Sequence, residues 1–171
     1  IPFELGIIRS HYVGRTFISR VMATHLGVKL KHNANRNLVA GKRIVLIDDS
    51  IVRGTTSLKI VQMMREAGAK EVHMRIASPP TTNSCFYGVD TPEREKLLAS
   101  RMNIAEMCDY IHADSLAFLT IEGLYRALGE AQRDSANPRY CDACFTGDYP
   151  TKLTDFDEHS SPDQLKLRVV G

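Results

Sequence analysis

The stretch RIVLIDDSIVRGTTSLKIVQMMREAGAKEVHMRIAS, residues 43–78, limits the fold more than any other part of the chain. It opens on Ile44, Val45, Leu46 and Ile47, an apolar run without alternation. Such a run suits a parallel strand covered by helices on both faces. A loop rich in glycine and hydroxyls follows. Leu58, Val61 and Met64, with Ile60 and Ala67 one position off, then recur at three- and four-residue spacing and predict a helix over 58–69. Thr55, Thr56 and Ser57 are suitable N-caps, and Gly68 suits the C-terminal end. Val72, Met74 and Ile76 alternate and predict a second strand, stopped at Pro79-Pro80. Strand, crossover helix and strand make a βαβ unit, right-handed in nearly all cases. The fold class expected is α/β, a parallel sheet flanked by helices with a helical C-terminal extension.

Asp48 and Asp49 end the first strand. Two adjacent carboxylates repel, and burying them would cost several kcal/mol or a proton. Their partner is either positive or rich in hydroxyl donors. In open α/β sheets, ligands bind beyond the carboxyl ends of the strands. The loop here runs into a helix N-terminus, whose N–H groups and dipole favour an anion such as phosphate. Ser50, Thr55, Thr56 and Ser57 add hydroxyls, and Gly54 allows close backbone approach. Carboxylates beside a phosphate cradle fit sugar hydroxyls or Mg²⁺. A sugar phosphate meets both halves; the bland alternative is an Asp-Asp turn leading into a capped helix.

The rest of the chain is less regular. Residues 3–9 read as a short strand, 10–42 as a long irregular segment, 92–107 as helix, 109–120 as a short strand and turn, and 121–132 as helix. From Asp134 onward the composition turns polar. The 171 residues suit one domain, or one domain with an extension, divided here as a core over 1–108 and an extension over 109–171. Lys plus Arg number 22 against 20 Asp plus Glu, so charge offers no argument for nucleic acid or an acidic membrane. No apolar run approaches the ~20 residues of a membrane span, and no secretory signal is read.

Without such a signal, Cys85, Cys108, Cys141 and Cys144 point to metal, cluster or packing roles rather than disulfides. Cys141-x-x-Cys144 suits zinc, a redox pair or an iron–sulfur cluster. Cys85 alone reads equally as a small core residue, and Cys108 reads as core packing. The six histidines show no H-x-x-x-H spacing. Arg53 is open between touching phosphate and closing its loop. Asp90, Thr91 and Pro92 read as a turn and helix start.

The run DDSIVRGTTS resembles the phosphoribosyl pyrophosphate (PRPP) signature of type I phosphoribosyltransferases, in the form carried by the amidophosphoribosyltransferase family. YVGRTFI (12–18), KLKHNANR (29–36), SPPTTNSCFYGVDTP (78–92), IHADSLAFLTIEGL (111–124) and CDACFTGDYP (141–150) are similar to that family too, so the likeness covers about residues 1–152. It implies that Asp48 and Asp49 hold the ribose hydroxyls and Mg²⁺. It implies that Ser50, Ile51, Val52, Arg53, Gly54, Thr55, Thr56 and Ser57 wrap the 5′-phosphate. Tyr12, Arg15 and Lys31 would belong to a lid over the pyrophosphate, although residues 19–28 depart from the family pattern. Cys85, Cys141 and Cys144 would be three ligands of a [4Fe–4S] cluster.

The implied reaction is displacement of pyrophosphate from PRPP by ammonia, the first step of purine (IMP) biosynthesis, in a cytoplasmic homo-oligomer with no nucleic-acid or membrane partner. Ile1 falls inside the apparent first strand. The resemblance therefore implies upstream parts absent from these residues: early strands, a pyrophosphate loop, the fourth cluster ligand and an ammonia-supplying glutaminase domain. These 171 residues alone are expected to be inactive. The rival readings are a salvage phosphoribosyltransferase, a PRPP-binding regulatory module that does not catalyse, and a zinc-binding interaction domain.

Overall fold

The computed structural model describes residues 1–9 and 32–152. Strands β1 (Ile7–Arg9) and β2 (His32–Ala34) form an antiparallel pair, followed by the single turn of α1 (Arg36–Val39). Then come β3 (Arg43–Asp48), α2 (Thr55–Glu66) and β4 (Glu71–Ile76). Two 3-10 turns (Arg94–Lys96 and Leu98–Ser100) lead to α3 (Ile104–Tyr110), β5 (Ser115–Phe118), α4 (Ile121–Ala127) and α5 (Ala143–Thr146). The three later strands make a parallel sheet in the order β3-β4-β5, with Asp48 opposite Ile76 and Ile76 opposite Phe118. The sheet therefore runs past residue 108. Among the described residues no helix is long and apolar enough to cross a membrane.

Helix α2 buries Ser57, Ile60, Val61 and Met64, one stripe of a 3.6-residue period. The stripe meets Val72, Met74 and Ile76 of β4, together with Met107 and Ile111 from α3 and its C-cap. Each fully buried aliphatic or Met side chain contributes roughly 1.5–3 kcal/mol before entropy is counted. Gly68, with φ +96°, ends the α2 segment as expected.

Three readings change. The cap of α2 is Gly54, not a threonine or serine, and no side chain caps the helix. The helix expected over 92–107 is two 3-10 turns and a helix that starts only at Ile104. Asn103 sets that start through a capping box, accepting from the Glu106 N–H while Glu106 accepts from the Asn103 N–H. Finally, the described residues cover only one face of β3. Ile47 is 75% exposed and Val45 41%. The order β3-β4-β5 explains this. Two successive right-handed crossovers moving in one direction place α2 and α3 on the same side of the sheet.

Asp114 ties the start of β5 to its neighbours. Its Oδ2 accepts from the Val72 N–H at 2.6 Å and from Arg65 at 2.7 Å. The Val72 hydrogen bond lowers its pKa against the opposing effect of burial, and Arg65 adds to the lowering. A depressed carboxylate stabilises the fold above its unfolded value, about 3.9, and loses that contribution as pH falls through the folded value. Asp114→Asn is expected to cost about 1 kcal/mol at neutral pH, discounted for partial exposure. Urea unfolding of both proteins from pH 7 downward checks this. A gap that stays constant in acid contradicts the assignment.

Candidate functional site

The site lies where β3 ends. The main-chain oxygen of Asp48 accepts from the Ala77 N–H at 2.9 Å, which fixes the strand tip beside the exit of β4. The Asp49 N–H donates to Asp48 Oδ1 at 3.0 Å, and the Ser50 hydroxyl donates to Asp49 Oδ1 at 3.1 Å. Local donors thus offset the repulsion between the paired acids. Asp48 is half-buried and Asp49 exposed.

The loop is pinned from below. Ile51 is buried in the core, and the Val52 carbonyl accepts from the Leu98 N–H at 2.8 Å. Gly54 adopts φ +76°, and an added Cβ there would meet Leu98 Cδ2 at 2.6 Å and Tyr110 Cε1 at 2.9 Å. Thr55 and Thr56 open α2 and are exposed, whereas Ser57 is buried. The first turn of α2 carries no acidic residue. By contrast, α3 and α4 are capped by the side chains of Asn103 and Thr120. The α2 N-terminus therefore keeps its positive end clear of any capping side chain or acid of its own. Arg53 is exposed, in the field of Glu93. Within residues 48–57, Asp49, Thr55 and Thr56 are exposed and Asp48 and Ser50 half-buried, whereas Ile51 and Ser57 face the interior; Tyr12, Arg15 and Lys31 lie outside the described residues.

A second cluster joins distant parts of the sequence. The N–H groups of Thr82 and Asn83 both donate to the Cys144 carbonyl at 3.0 Å, strapping the loop before Cys85 onto α5. Cys85 Sγ accepts from the Tyr87 N–H at 3.5 Å. That bond, with help from the N–H groups of Val89 and Gly88, pulls the thiol below its usual range despite burial. Burial pushes Cys144 up, and the neighbouring Cys85 and Cys141 add to the rise. Cys85 and Cys141 thus each lie within electrostatic reach of Cys144. Among the described residues no three His, Cys, Asp or Glu side chains converge closely enough to hold a single metal ion. Cys108 stands apart in α3, where its thiol donates to the Ala113 carbonyl at 3.2 Å and burial raises its pKa.

Asp142, between the two cysteines of the C-x-x-C, is a residue that sequence reasoning missed. It is 4% exposed. Burial would raise its pKa, but hydrogen bonds from Arg133, Tyr125 and Thr146 outweigh that and hold the carboxyl low. The only signal in the sequence was a charge placed between two candidate ligands.

A parallel sheet whose acid-tipped strand runs through a glycine turn into a helix is the fold of the type I phosphoribosyltransferases. No protein-family model matches the chain. The amidophosphoribosyltransferase of Rhizobium etli is 59% identical over 169 residues, covering 98% of this chain and 34% of that protein. The chloroplastic amidophosphoribosyltransferase 2 of Arabidopsis thaliana is 58% identical over 172 residues, covering 100% of this chain and 30% of its own length. A solved structure is similar as well: the glutamine PRPP amidotransferase of Bacillus subtilis complexed with ADP and GMP. Its TM-score is 0.76 at 52% identity, covering 90% of this chain and 34% of that one. Over nearly its whole length the chain is similar to amidophosphoribosyltransferases, and it spans about a third of the length of these relatives.

Proposed function

We propose that this chain supplies the PRPP-gripping part of an enzyme that makes 5-phosphoribosylamine, the entry step of purine synthesis. The observation that carries the reading is the pairing of Asp48 and Asp49 with the uncapped N-terminus of α2. The N–H groups of the loop and the hydroxyls of Ser50, Thr55 and Thr56 hold the 5′-phosphate, and the two carboxylates accept from the ribose hydroxyls. Ammonia attacks C1 of the ribose, a C–N bond forms, and the C1–O bond breaks with its electron pair leaving on pyrophosphate. The attacking nitrogen then loses a proton. Positive charge builds on the ring in this step, so nearby carboxylates and a closed, dry site favour it. No protein nucleophile is needed.

Two groups fit the residues present. The paired carboxylates are the hard oxygen donors that Mg²⁺ selects, and the ion would neutralise charge on the leaving group. Cys85, Cys141 and Cys144 fit three corners of a [4Fe–4S] cluster. A cubane presents its irons separately, so its ligands stand further apart than those of a single ion, and backbone N–H groups on Cys85 suit a thiolate. Such a cluster ties the C-terminal residues to the loop at 80–90 and takes no part in the transfer.

The test is release of pyrophosphate from PRPP by the whole protein, with glutamine or ammonia as nitrogen donor. Release that depends on a purine or pyrimidine base instead would favour the salvage transferase. For the cluster, the expected result is a brown protein whose broad visible absorption disappears in Cys144→Ser; stoichiometric zinc in place of iron and sulfide removes that part.

A further inference from the structure

We infer that Arg133 and the buried Asp142 form a clamp that sets the position of Cys141 and Cys144, making Arg133 a positioning residue for the thiol pair. Every acceptor direction of the carboxylate is taken. Asp142 Oδ2 accepts from the Tyr125 hydroxyl at 2.8 Å and Arg133 Nε at 2.6 Å. Oδ1 accepts from Arg133 Nη2 at 3.1 Å and the Thr146 hydroxyl at 3.0 Å. The Asp142 carbonyl also accepts from the N–H groups of Phe145 and Thr146. Arg133 reaches further, to Asp148 at 2.6 Å beyond α5.

The need for a clamp follows from size. Helix α5 has four residues, far below the length at which a helix holds itself together. Something outside must fix the turn that carries Cys144. A buried carboxylate is costly unless paired, and an apolar side chain would pack at less electrostatic cost. The bidentate guanidinium grip instead gives direction, joining α4, the segment at 133 and both ends of α5. The cluster proposed above gives this fixed geometry its purpose, and the inference rests on that reading for its function though not for its structure.

Amide hydrogen exchange on the whole protein tests it, with a peptide over 141–148 as reporter and one over α3 as internal reference. Arg133→Met is expected to speed exchange in 141–148 about tenfold and leave α3 unchanged. Arg133→Lys recovers only part, because one ammonium cannot span both oxygens. Asp142→Ala risks the local fold and is not used alone. Unchanged exchange in 141–148 overturns the clamp, as does equal acceleration in α3, which marks general loosening. Iron and sulfide analysis separates the two readings. Wild-type protein without iron removes the cluster, and the exchange result then judges the clamp alone. Where iron is present, Arg133→Met should lose it to a chelator faster than wild type; equal rates overturn the link to the cysteines.

Discussion

Asp48→Ala in the whole protein is expected to lower kcat/KM for PRPP by about 10²–10³-fold, or roughly 3–4 kcal/mol of transition-state stabilisation. The loss should appear with ammonia as well as with glutamine, because the residue stands at the proposed PRPP site and not at a source of ammonia. The variant should fold. The contact that sets the strand tip is the main-chain oxygen of Asp48 accepting from Ala77, and it survives the substitution. The side chain accepts from the local Asp49 N–H at 3.0 Å, a contact within the same turn. Asp48→Asn keeps the shape and removes the charge, so it separates electrostatics from geometry. If the carboxylate grips Mg²⁺, the asparagine variant should also need a higher Mg²⁺ concentration for half-maximal rate. Pyrophosphate release measured at varied PRPP and Mg²⁺ decides the matter. Wild-type rates in Asp48→Ala would remove the carboxylate pair from the site and, with it, the sugar-phosphate reading of this loop.

The βαβ unit was legible because its signals are local. Val72, Met74 and Ile76 alternate with the pleat, Ile60, Val61 and Met64 follow the helical period, and both patterns survive in the folded chain. What escaped depends on neighbours. Ile47 reads as a core residue by composition, yet among the described residues no helix covers it, because both crossovers step the same way. The Thr-Thr-Ser run reads as a cap by residue type. The cap falls instead to Gly54, because Leu98 and Tyr110 press on the turn and leave no room for a side chain. Residues 92–107 are rich in helix formers, but the reciprocal bonds of Asn103 and Glu106 delay α3 until Ile104. The grip of Arg133 on Asp142 joins residues nine apart across a loop, and no periodicity announces it.

Gly54→Ala is the second substitution expected to have a large effect, on stability as well as on PRPP binding. The new Cβ would lie 2.6 Å from Leu98 Cδ2 and 2.9 Å from Tyr110 Cε1, distances that real Cβ atoms do not tolerate. Gly54 also sits at φ +76°, where a side chain costs about 1–2 kcal/mol. Overpacking against Leu98 adds roughly 1–3 kcal/mol. The expected total is about 2–4 kcal/mol, since part of the overlap relaxes as Leu98 moves. That movement has a local consequence. The Leu98 N–H holds the Val52 carbonyl at 2.8 Å, so a displaced Leu98 pulls on the loop that leads from Asp49 to α2. Affinity for PRPP should therefore fall more than for a variant of equal stability loss elsewhere. Ile60→Ala, on the buried stripe of α2 away from the loop, is a suitable match at a cost of about 2–5 kcal/mol. Thermal unfolding sets the two variants at comparable destabilisation, and PRPP binding at a temperature where both are folded separates them. Equal affinities would show that the glycine serves only packing, and that the turn into α2 does not shape the phosphate cradle.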